Sequence, residues 1–221
     1  FAGFYWQIVR INGDGSIRLI YNGSKNDSSK SINNSQFNSK FNNPTYLGYM
    51  YGNADGTTFE EVHSNTNDST IKSDVDSWYK TNIVDKGYST YVSDAVGFCG
   101  DRTIYSGGDG IQTNKDTYFG AYGRYLNKTA QFICPELSRD LYTISDSNVG
   151  NKALIYPVGL ITYDELAFAG IDRANINKLS WASSIDNYWT MTPASFYAPG
   201  SAAIEWSYIT DGLISSGWGV N

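Results

Sequence analysis

Residues 187–220 read "NYWTMTPASFYAPGSAAIEWSYITDGLISSGWGV" and use a different alphabet from the rest of the chain. Beyond Lys178 there is no Lys or Arg, and between Asn187 and Asn221 there is no Asn, although both kinds of residue abound upstream. Aromatic residues persist at Tyr188, Trp189, Phe196, Tyr197, Trp206, Tyr208 and Trp218. Side chains alternate across a strand, so a strand here puts Ile204, Trp206 and Tyr208 on one face and Ala203, Glu205, Ser207 and Ile209 on the other. One face must be core. If Trp206 points inward, Glu205 and Ser207 point outward; Tyr188 and Trp189 are assigned to the core.

Working outward, "TYDELAFAG" at 162–170 reads as a short helix, with Thr162 and Glu165 as a capping box and Gly170 as its stop. The clearest helix is "NDSTIKSDVDSWYKTNI", where Asn67, Asp68 or Ser69 caps the start and Ile71, Val75, Trp78 and Tyr79 share a face. At the beginning of the chain, "FYWQIVRI" and "SIRLIYNG" flank "NGDG" and predict a hairpin. The polar run from Ser24 to Asn43 reads as a long surface loop anchored by Phe37 and Phe41, and "YLGYMYG" as a short buried strand. The Gly- and Tyr-rich stretch between Gly97 and Pro135 reads as long loops bridged by short strands. Two helices among many short strands and long loops, with no βαβ alternation and no internal repeat, indicate the α+β class. The 221 residues contain no Pro-rich or charged linker, which favours one domain over 1–221.

A net charge of -6 and a pI near 4.7 argue against nucleic acid or an anionic membrane as partner, since both reward clustered Lys and Arg. No run approaches the length of a membrane span, and the chain opens "FAGFYWQIVRING" with no charged leader or cleavage site, so an export signal is expected outside it. With 18 Tyr and 15% aromatic residues against 17% charged, rings must also occupy surfaces or clefts, where a polar-tipped ring suits recognition.

No catalytic signature emerges. His63, the single histidine, sits in a polar stretch and reads as a surface or capping residue; no nucleophile elbow, zinc-protease, P-loop or dinucleotide motif occurs. Asp74 and Asp76 diverge on their helix and read as a solvated face rather than a glycosidase pair. "NGDGS" at 12–16 and "GGDG" at 107–110 read as turns, not calcium loops. Cys99 and Cys134 form no CxxC pair and have no nearby His, so no metal or other cofactor is expected. In an exported protein they offer one disulfide, worth roughly 3–4 kcal/mol in the chain-entropy model. Two buried thiols are the alternative.

The closing pattern, "NYWTMTP", then "AAIEWSYITDG", then "GWGV", is similar to that of bacterial C-type-lectin-like domains of the formylglycine-generating-enzyme type. The stretches "FYWQIVRINGDGSIRLIYNG", "YLGYMYG", "FCGDR", "FGAYGRYLNKTAQFICP" and "YPVGLITYDELAFAG" resemble an exported family of gut-associated bacteria, so the likeness covers nearly the whole chain. The Arg that normally follows the terminal "GV" is absent, because Val220 is followed by Asn221. The resemblance implies a C-type-lectin-like domain of two helices, short antiparallel strands and long loops. It also implies a non-catalytic recognition or adhesion role toward a protein or glycan on a cell or phage-host surface. Tyr197, Trp206, Tyr208 and Trp218 would give apolar contact; Ser195, Glu205, Ser207 and Thr210 would give hydrogen bonds. The fold also serves variable proteins of diversity-generating retroelements, in which adenine-targeted mutation would deplete Lys and Asn codons; a buried terminal hairpin would deplete the same residues. Two further readings are a structural module of a larger surface protein and a formylglycine-generating-type oxidoreductase. The latter would need cysteines near the C-terminal motif, where this chain has none.

Overall fold

The computed structural model describes residues 1–26, 29–172, 175–176, 180–184, 187–209 and 213–215, with side chains described up to 204 except at 172, 175–176 and 183–184. The chain opens with the expected antiparallel hairpin, β1 (Phe4–Ile11) and β2 (Ile17–Ser24). In its turn, Asp14 accepts hydrogen bonds from the Ser16 backbone at 2.9 Å and hydroxyl at 2.7 Å. After the long polar stretch come a 3-10 turn (Pro44–Tyr46) and the two-residue β3 (Met50–Tyr51). Phe37 is fully buried in that stretch and Phe41 packs on the core, so both anchors hold. Next lie α1 (Phe59–Val62), β4 (Asn67–Asp68), which pairs with β3, and α2 (Thr70–Tyr79), which widens into a π turn over Lys80–Val84.

Helix α2 follows its sequence pattern. Ser69 caps it by accepting from the Lys72 N–H at 3.2 Å, and Ile71, Val75 and Tyr79 are buried one turn apart. Lys72 is buried too, its Nζ held by Asp68 at 3.1 Å and Asp76 at 2.6 Å, each one turn away. Asp76 is therefore buried, which corrects the solvated-face reading of this carboxylate.

Beyond α2 run β5 (Phe98–Cys99), β6 (Ile104–Gly107), β7 (Thr117–Phe119), α3 (Gly120–Asn127), α4 (Leu137–Asp140) and β8 (Leu141–Tyr142), which pairs with β5. The expectation of two helices is thus corrected by α1, α3 and α4. Helix α3 falls within the Gly- and Tyr-rich stretch read as loop, and its two glycines are there for close approach. A Cβ at Gly120 would lie 2.6 Å from both Asp101 Oδ2 and Thr103 Oγ1, and one at Gly123 would enter the Tyr105 ring. Cys99 and Cys134 are joined in a disulfide, with Cα atoms 5.5 Å apart.

Helix α5 (Tyr163–Phe168) carries the expected capping box, and Gly170, at φ +86°, ends it. The pair β9 (Ile171–Asp172) and β10 (Asn175–Ile176) precedes the long β11 (Tyr188–Tyr197), β12 (Ala202–Ile209) and β13 (Leu213–Ser215). These last three join β7 and β6 in an antiparallel five-stranded sheet ordered β13-β12-β11-β7-β6. The architecture is α+β, with small antiparallel sheets and few, short helices.

Strand β11 is buried continuously from Thr190 to Ser195 and on to Phe196, because both faces of the sheet are covered there. Met191 and Phe196 join one apolar cluster with Phe37, Tyr49 and Val75, while Ala194 joins the second with Tyr163 and Leu166. The register against β12 slips on either side of Pro193, consistent with a residue that has no N–H to give the ladder.

Candidate functional site

A half-open cleft of about 820 Å³ lies between the N-terminal hairpin and the body. Its side walls are residues 16–21 and 30–35, its inner wall 157–161 and Asn187–Trp189, and its floor one face of α2, from Ile71 and Val75 to Trp78 and Tyr79. The hairpin stands over α2 because Trp78 gathers its rings: Phe4 at 5.3 Å, Tyr21 at 5.5 Å and Trp6 at 6.3 Å between centroids.

Arg18 fixes the other side of the hairpin. Its guanidinium donates to Gly97 O at 3.2 Å, pairs with Glu165 Oε1 at 2.7 Å and lies 4.0 Å over the Phe98 ring. Burial lowers the Arg18 pKa from its ordinary value, with Glu165 opposing that shift and Arg10 adding to it. Glu165 also accepts from the Thr162 N–H at 3.0 Å, so one carboxylate caps α5 and ties the hairpin to it. The segment 30–35 is held from below, where Trp189 Nε1 donates to Ser35 O at 3.0 Å. Tyr79 on the floor has a buried hydroxyl with no hydrogen-bond partner among the described residues, and burial pushes its pKa up to about 12. It stays protonated at any physiological pH.

The cleft offers ring edges, aliphatic surface and a few polar groups. Asp74 lies on its floor, and no ion pair engages it among the described residues. A smaller hollow of about 320 Å³ beside the disulfide holds Arg124, which is bound to Asp164 through two contacts of 2.7 Å and to Asp101 at 2.6 Å. Those charges are committed to each other, so this hollow is a brace between α3 and α5. Among the described residues, no group of three or more His, Cys, Asp or Glu is arranged to hold a metal ion.

The residues singled out by sequence are distributed rather than gathered. Tyr197 is 48% exposed at the end of β11, near Tyr118 and Tyr122, whose tilted rings have centroids 4.6 Å apart. Burial raises the Tyr118 pKa, with Asp116, Tyr122 and Tyr197 adding to it. Ser195 is corrected: it is 6% exposed, pairing with Ile204 of β12 and Tyr118 of β7, and a strand flanked on both sides and covered on both faces offers no hydroxyl to a ligand. Glu205, Trp206, Ser207 and Tyr208 lie on β12, with Glu205 opposite Pro193, Ser207 opposite Trp189 and Tyr208 opposite Tyr188. Thr210 and Trp218 lie outside the described residues.

The division of β12 into a core face and a ligand face does not hold where side chains are described. Ala203 belongs to the first cluster and Ile204 packs on the second. Tyr188 and Trp189 pack on the two clusters as expected, yet they also line the cleft, roughly 25–30 Å along β11 from Tyr197. His63, read as a surface or capping residue, stands at the C-cap of α1 and is fully buried, which corrects the surface alternative.

Sequence reasoning missed the cleft as a whole. Its signal was the hairpin, where apolar residues occupy both parities, more than one buried face requires. No protein-family profile, curated protein or solved structure matches the chain.

Proposed function

We propose that this chain is a non-catalytic recognition or adhesion domain of C-type-lectin-like fold from an exported surface protein, and that it takes its ligand in the cleft between the hairpin and α2. The observation that carries the reading is the cleft itself: about 820 Å³, half-open and bordered by Trp6, Tyr21, Trp78 and Trp189. That size and lining suit specific uptake of a ligand's apolar parts, with a few polar groups to orient them. The disulfide suits an oxidising compartment. It also leaves no free thiol among the chain's two cysteines, which speaks against formylglycine-generating oxidation. The C-terminal segment enters the site through Asn187–Trp189, while Tyr197 sits at the opposite end of β11.

Glycan arrays and displayed peptide libraries probed with the chain would supply a ligand, and two exposed cleft positions would then test the site. Tyr91 is 78% exposed at the cleft and Leu19 is half-exposed on β2, so Tyr91→Ala and Leu19→Glu leave the core intact. Each is expected to weaken binding about tenfold or more, the scale of a lost anchor. Unchanged binding in both, with loss in Tyr197→Ala, would move the site to the far end of β11.

A further inference from the structure

We infer that the occupant of this cleft is an extended polypeptide segment that adds as a strand along β2. The inference rests on the cleft being the binding site, and it names the ligand class.

A strand that turns its face to a cavity contributes every second residue, because successive side chains point to opposite faces. Strand β1 contributes Trp6, Val9 and Asn12, with gaps between them. From the turn through β2, by contrast, every residue from Ser16 to Tyr21 lines the cleft, although the side chains of Ile17 and Leu19 point to the exposed side and those of Arg18 and Ile20 inward. Lining by both parities is what a strand gives when its main-chain edge turns toward a cavity. Among the described residues, β1 is the one strand paired with β2, so along Ile17–Ile20 that edge carries main-chain donors and acceptors with no strand neighbour.

The opposing walls have the same character. Residues 30–35 and 157–161 are also unbroken runs, and neither contains a helix or a strand. The cleft runs between β2 and these two irregular segments, with Ile71, Val75, Trp78 and Tyr79 of α2 also lining it. The four residues Ile17–Ile20 span about 13 Å. A two-stranded ribbon is marginal alone, and a third strand is the usual remedy. Strand addition supplies main-chain hydrogen bonds for affinity and pockets for alternate side chains for specificity. The ring edges that Trp6 and Trp78 leave at the cleft would receive apolar side chains at alternate positions, and Asp74, which no ion pair engages among the described residues, would receive one Lys or Arg. A glycan would instead favour open ring faces, whereas Trp78 here is packed against three neighbouring rings.

The test selects from a displayed library of random octapeptides and synthesises the consensus in two forms, one unmodified and one N-methylated at alternate residues of either edge. The expected consensus alternates apolar and polar residues and carries one basic position. Its unmodified form slows amide exchange at Ile17–Ile20 by at least about tenfold, one of the two N-methylated forms binds at least about tenfold more weakly, and Asp74→Asn removes the preference for the basic residue. Equal binding by all forms, or protection confined to residues away from β2, overturns strand addition. Failure to select any peptide, together with a glycan whose binding depends on Tyr91 and Leu19, also overturns it and leaves the cleft as the ligand site. Binding of neither class through those two residues removes the recognition reading itself.

Discussion

Acidification from pH 7 to pH 5 probes the packing around His63 and little else. The imidazole is fully buried, 4.3 Å from the Phe59 ring and 6.1 Å from the Phe119 ring between centroids. Nε2 lies 2.9 Å from Gly110 O, and since a carbonyl only accepts, the neutral ring is assigned its proton on Nε2. Nδ1 is then a buried acceptor without a partner among the described residues. Burial first, and the nearby Arg102 second, push the pKa down to about 3, against 6.5 for a free histidine. The unfolded chain therefore binds a proton that the folded chain refuses between those values. Stability is complete above about pH 6.5 and falls by about 1.4 kcal/mol for each pH unit below it. The loss reaches about 2 kcal/mol at pH 5 and about 5 kcal/mol near pH 3. Carboxylates held low in the fold, such as Asp140, lose their contribution at lower pH, and Asp76, raised by burial, acts with the opposite sign, so the loss of stability between pH 6.5 and 5 belongs mainly to the one histidine. Urea unfolding at half-unit pH steps measures it. His63→Gln should lower stability at pH 7 by about 1–3 kcal/mol and abolish the slope in this window. A slope that survives the substitution, or a histidine titrating near 6.5 by NMR, would refute the reasoning.

Three further outcomes follow from the same packing. Reducing the Cys99–Cys134 bridge, or replacing both with Ser, should lower stability by roughly 3 kcal/mol, read as a lower midpoint in urea. Arg102→Met removes the fully buried partner of the Asp140 carboxylate, Arg102 Nε at 2.8 Å, and leaves Arg139 as its remaining guanidinium; a loss of about 3 kcal/mol is expected, and Arg102→Met with Asp140→Leu should recover part of it. Sequencing the gene across a source population should find Met191, Ala194 and Phe196 held fixed by burial, with any excess variation in 187–220 over that in 1–50 falling outside them. Free variation at those three positions would contradict the described core.

The elements legible in the sequence are those whose signals are local. Ser69 caps α2 and Thr162 with Glu165 caps α5, and in each case a side chain satisfies a backbone group within one turn of itself. The hairpin was legible for the same reason, through "NGDG" and its flanking alternation. Helix α3 was not, because Gly120 and Gly123 weaken helix propensity locally while serving contacts with Asp101, Thr103 and Tyr105 that lie elsewhere in the chain. Asp76 and His63 were read as exposed for a related reason: a charged or polar residue is buried only when distant or one-turn partners accept it, here Lys72 and Gly110 O. The C-terminal segment announced aromatic surface, but it did not reveal that Ser195 lies between two strands or that Trp189 faces a cleft made with residues 154 positions away. A cleft assembled from many separate stretches leaves no contiguous motif.

The central claim is that ligand occupies the cleft beside β2 and not the far end of β11. The most direct measurement places a photo-reactive benzoylphenylalanine at Tyr91 in one variant and at Tyr197 in another, irradiates each with a ligand selected on the unmodified chain, and maps the adducts by mass spectrometry. Adducts from position 91 with none from 197 are the predicted result. Adducts from position 197 alone would contradict the account and return the binding surface to the tip of the β11–β12 hairpin.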